Sequence, residues 1–107
     1  MKYSAKVKRC EEIYNAISSL PKDGEIKVLY GKDYNGRPNV YKIRAYEGFK
    51  GEMSYSIWKG YSGMNISKIG KTSLNAYSYD MMSQKTTYRF QLSQMQVYKE
   101  VEEEVAA

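Results

Sequence analysis

The sequence contains no histidine and only one cysteine, Cys10. Without histidine there is no Ser–His or Cys–His nucleophile pair. A lone cysteine excludes an internal disulfide, and the two scarcities together exclude a zinc site of thiolates and imidazoles. A reducing compartment is the natural reading, so the cytoplasm is the expected location. No apolar run approaches the length of a membrane span. The N-terminus is basic (Lys2, Lys6, Lys8, Arg9), but no apolar stretch follows it as a secretory signal would require.

Aliphatic residues are also scarce. Ile, Val, Leu and Phe make up 19 of 107 residues, near the level at which chains stay disordered. Twelve tyrosines, six methionines and one tryptophan must therefore supply much of the core. A buried tyrosine needs a partner for its hydroxyl, so many of these rings should lie half in and half out.

Carboxylates are few outside the C-terminal stretch. Glu11, Glu12, Asp23, Glu25, Asp33, Glu47, Glu52 and Asp80 form no spaced set suited to Mg²⁺. Cys10 falls on an apolar helix stripe and reads as a structural thiol. No metal, cofactor or catalytic residue is expected. A metal-free activity built on Tyr, Lys and Arg is the one chemical route left, and no tyrosine is singled out for it. Gly70-Lys71-Thr72 lacks the upstream glycine of a phosphate loop, because position 65 is Asn; it reads as a turn.

What the sequence does contain is positive charge and rings. The length suits one domain, read here as residues 1–98 with a short acidic tail at 99–107. Residues 1–98 hold 16 Lys+Arg against 8 Asp+Glu. Such a body attracts nucleic acid, anionic surfaces or acidic proteins.

Cys10, Ile13, Tyr14, Ile17 and Leu20 recur at spacings of three and four, which predicts an amphipathic helix over 4–20. Ser4 is the expected N-cap and Pro21 the stop. Asn35-Gly36 is the preferred centre of a two-residue hairpin turn. That turn would set Ile26 opposite Ala45, Val28 opposite Ile43 and Tyr30 opposite Tyr41, all on one face. Pro38 argues for a wider loop. A third strand over 52–59 would add Met53, Tyr55 and Ile57 to this face. Further strands are expected over 65–69, 73–79 and from 85 to Leu92. Residues 91–104 allow either a bulged strand or a helix. The fold class is α+β: an N-terminal amphipathic helix packed on one face of an antiparallel sheet of four to six strands.

The opposite sheet face would carry Lys27, Lys42, Arg44, Tyr46 and Trp58. Cations among rings suit a platform for single-stranded nucleic acid: rings stack on bases and cations meet phosphates. Lys6, Lys8 and Arg9 are expected to assist from the helix. The leading expectation is thus a small, non-catalytic nucleic-acid-binding domain with little sequence readout. The alternative is a protein-binding inhibitor or adaptor, of the phage or mobile-element type, docking on an acidic surface through Tyr34, Arg37, Lys59 and Tyr61. Self-association through an exposed edge strand is the third possibility.

Overall fold

The computed structural model describes residues 3–98. In chain order it contains α1 (Tyr3–Ser18), β1 (Glu25–Lys32), β2 (Pro38–Glu47), β3 (Met53–Lys59), β4 (Ser62–Ile69), β5 (Ser73–Tyr79), β6 (Lys85–Gln91), a 3₁₀ turn (Leu92–Gln94) and β7 (Gln96–Val97). The class is α+β as expected, but the strands number seven rather than four to six. All pairings are antiparallel, and the order across the sheet is β6-β5-β4-β3-β2-β1-β7. The first six strands are a simple meander. The chain then crosses back to the far edge. The sheet curls into a half-barrel around the helix.

The helix buries Cys10, Ile13 and Ile17, as their spacing predicts. They meet Val28, Ile43, Ile57, Leu74, Ala76 and Phe90 in one apolar cluster on the inner face of the sheet. Burying an isoleucine contributes about 1.5–3 kcal/mol. Tyr14, Tyr30, Tyr41 and Tyr55 surround the cluster half-buried, so rings do compensate for the shortage of aliphatics. Ser4 lies inside the helix and is not its cap. The helix stops before Leu20-Pro21, because a residue preceding proline disfavours helical backbone.

The first hairpin corrects the expected register while keeping its faces. Ile26 lies opposite Ile43 and Val28 opposite Tyr41, a slip of two residues. Two irregularities produce it. The loop holds three residues, not two: Gly36 N–H donates to Asp33 O, Asp33 N–H donates to Arg37 O, and Gly36 has φ +81°. This is a tight turn followed by a left-handed residue. The second irregularity is a bulge between Leu29 and Lys32, where Gly31 has φ +67°. Each shifts the pairing by one. Because side chains alternate with period two, a single shift would set the apolar set of β1 against the polar set of β2. Two shifts restore it. Pro38 opens β2, the strand position that best tolerates a missing N–H.

Residues 91–98 follow neither expected course. Leu92 and Met95 are fully buried on either side of the 3₁₀ turn, and β7 then pairs with β1 through Val97–Val28 and Gln96–Leu29. Leu92 N–H donates to Thr72 O, and Tyr98 N–H donates to Lys27 O. The part of the helix-or-strand question beyond residue 98, and the acidic tail, lie outside the described residues.

Three rings close the curl. Tyr30, Tyr41 and Phe90 meet edge-to-face with centroids 5.0–6.2 Å apart. Gln91 N–H donates to the Tyr30 hydroxyl at 3.1 Å, tying β6 to β1 across the sheet. Burial raises the Tyr41 hydroxyl pKa above 10.0, and the neighbouring Tyr30 adds to the rise. Among the described residues, no helix is long and apolar enough to cross a membrane.

Candidate nucleic-acid interface

Alternation along each strand leaves a second, outer face turned away from the helix. The pairings align its residues in rows. Lys27, Lys42, Trp58 and Gly63 form one row across β1–β4. Glu25, Arg44, Ser56, Asn65, Tyr77 and Thr87 form the next, across β1–β6. Lys68, Asn75 and Arg89 form a third on β4–β6, and Tyr79 pairs with Lys85. Tyr46 lies on this face opposite Ser54, half-buried. Lys27, Lys42, Arg44, Tyr46 and Trp58 therefore share one face, as their sequence parity predicts.

Trp58 lies flat on the sheet. A Cβ at position 63 would come 2.5 Å from its ring, so only glycine leaves room for it. Its indole N–H donates to Ser56 Oγ at 2.9 Å, which fixes the ring and covers Ser56. Trp58 remains 37% exposed. Two strands away, Tyr77 and Tyr79 meet edge-to-face at 5.8 Å, and the Lys85 ammonium lies 4.8 Å from the centre of the Tyr77 ring. Tyr79 is 60% exposed. Tyr77, Lys85, Thr87 and Arg89 line a shallow depression on this side.

The cations on this face differ in their neighbours. Lys42 lies 3.8 Å from Glu25, and Arg44 lies 3.7 Å from Asp23. Both are compensated. Lys68, Lys85 and Arg89 have no carboxylate partner among the described residues, nor do Lys59 and Lys71 in the turns beside the face. Residues 53–98 contain only one acid, Asp80. Its Oδ1 accepts from Met82 N–H and Gln84 N–H and so braces its own turn. The reading from sequence missed Tyr77, Tyr79, Lys68, Lys85 and Arg89. Counting acids by segment would have pointed to them.

The helix cations do not join this face. α1 packs on the inner side, and Lys6 and Lys8 are exposed there. Arg9 donates from Nη1 to Met95 O at 2.9 Å and lies 4.0 Å from Glu12, which makes it a strut between helix and chain return. The residues of the alternative reading are at hairpin tips. Tyr34 and Tyr61 are 97% and 103% exposed, with Arg37 and Lys59 beside them. Both tips lie at the same end of the meander, which also carries the exposed Met81 and Met82. Comparison of the chain with protein-family models, curated sequences and solved structures returns no match.

Proposed function

We propose that the protein is a non-catalytic module that binds single-stranded nucleic acid on the outer sheet face, centred on β3–β6. The observation that carries this reading is the juxtaposition of Trp58, Tyr77 and Tyr79 with Lys68, Lys85 and Arg89, which have no carboxylate partner among the described residues. Half-exposed rings fixed on strands stack on bases with little loss of side-chain freedom. Cations without a carboxylate partner neutralise phosphates without first breaking an ion pair. Base identity would be read weakly, because the rings accept any base. Lys42, Arg44 and Tyr46 flank this centre, and Lys27 extends it along β1.

Trp58 fluorescence during titration with an oligo-thymidine strand tests the proposal at two salt concentrations. Binding should occur at low salt and weaken steeply as salt rises, by about 0.7 in log K per log salt for each phosphate neutralised. No binding at low salt, or binding indifferent to salt, refutes it. The second reading, docking on an acidic protein, draws on the tips: Tyr34, Tyr61, Met81 and Met82 are exposed next to Arg37, Lys59 and Lys85. A partner retained from host lysate after nuclease treatment, and lost on Tyr61→Ala, would favour it.

A further inference from the structure

Two features are left unused by the outer face: the helix lysines and the Gly70-Lys71-Thr72 turn. They are more than 60 residues apart in sequence, yet the fold brings them to one groove of about 640 Å³ between α1 and the β4–β5 turn. Lys6 and Lys71 line it, with Glu11 as a third charged group. Val7, Cys10 and Tyr14 supply its apolar wall. Its size falls within the range of small-molecule sites.

The walls are tied to one another. The β4–β5 turn is held where Thr72 O accepts from Leu92 N–H at 2.9 Å. The helix is held to the same chain return by the Arg9 bond to Met95 O. The groove is thus framed by tertiary contacts and does not depend on a mobile loop.

From this lining we infer that the groove binds a small amphipathic monoanion: an aromatic or aliphatic body carrying one carboxylate or sulfonate. The apolar wall would take the body out of water. The two ammonium groups have no carboxylate partner among the described residues and would meet the anionic end. Glu11 fixes the charge preference, because two lysines and one carboxylate sum to a single positive charge. Inorganic phosphate has no apolar body to bury and, as a dianion, would leave one of its charges unmatched. The site is on the helix side of the molecule and is independent of the outer face.

The test uses 8-anilinonaphthalene-1-sulfonate, a monoanion with two ring systems whose fluorescence rises on leaving water. Three charge reversals on the full chain are compared: Lys6→Glu, Lys71→Glu and Lys8→Glu. Lys8 shares the helix but does not line the groove, so it controls for net charge. All three sites are exposed, and cooperative thermal unfolding of each variant verifies its fold. Lys6→Glu and Lys71→Glu should each weaken dye binding about fivefold, as loss of an exposed charge pair implies. Lys8→Glu should leave it within twofold. Amide shifts on dye addition should cluster at Val7, Tyr14 and Thr72. Dodecanoate should compete with the dye, and inorganic phosphate should not. Equal weakening by all three reversals, shifts centred on Trp58 and Tyr79, or competition by phosphate overturns the inference.

Discussion

The two halves of the outer face are built from the same kinds of residue but differ in electrostatics. Around β1–β2, cations are paired with acids: Lys42 lies 3.8 Å from Glu25 and Arg44 3.7 Å from Asp23. On β3–β6, Lys68, Lys85 and Arg89 have no carboxylate partner among the described residues, and the one acid of residues 53–98 is bonded to its own turn. The count of acids along the chain separates the two halves. The ion-pair distances show that Lys42 and Arg44 are the cations compensated.

This contrast can be tested from both sides. Tyr79→Ala should have the largest effect on oligonucleotide affinity. Stacking is worth about 1–3 kcal/mol per base, so the loss should be roughly 5- to 150-fold. The ring is 60% exposed, and thermal stability should change little. A variant that binds as well as the parent would move the binding centre away from β5.

The double reversal Lys85→Glu with Arg89→Glu should weaken binding about tenfold at low salt. It should also flatten the salt dependence by about 1.4 in log–log slope, as two lost phosphate contacts imply. An unchanged slope would mean that these cations meet no phosphate. The compensated half should respond in the opposite sense when its acids are removed. Asp23→Asn with Glu25→Gln frees Lys42 and Arg44 and should tighten binding about threefold. The cost in stability should stay below about 1 kcal/mol, since both pairs are exposed. Lys42→Ala in the parent background should alter affinity less than twofold. A larger loss would show that its pairing with Glu25 does not restrain it.

The smallest effect concerns stability. The folded state holds Tyr41 protonated above its ordinary pKa. Its contribution is therefore complete below pH 10 and is lost as pH rises through the raised value. Tyr41→Phe should flatten the fall in melting temperature above pH 10. An identical alkaline profile for parent and variant would remove Tyr41 from that account.

Much of this architecture is readable from the sequence, for physical reasons. Ile13 and Ile17 mark the helix through their period. Val28, Ile43 and Ile57 mark the inner face because a one-residue slip would expose them. Trp58 is placed on the outer face by the same parity. The return of the chain to β1 is not readable, because Gln96–Val97 is too short to carry a pattern. The 3₁₀ turn at Leu92 depends on a bond to Thr72, twenty residues earlier in the chain. The ion pairs of Lys42 and Arg44 depend on the cross-strand register, which periodicity does not determine. Tyr79, Lys85 and Arg89 are not marked by periodicity, because residues 60–90 carry a weak apolar alternation. Their message is in the missing acids.

That dependence on register gives Gly31 and Gly36 a role remote from where they stand. The apolar pattern of the first hairpin is satisfied equally by the observed register and by one displaced by two residues. Contacts in the core therefore do not choose between them; the left-handed backbone at these two glycines does. In the displaced register Lys27 would stand opposite Arg44 instead of Lys42. Glu25 would be carried about 7 Å further along the sheet, away from Lys42. Two residues without side chains thereby decide whether Lys42 keeps its carboxylate.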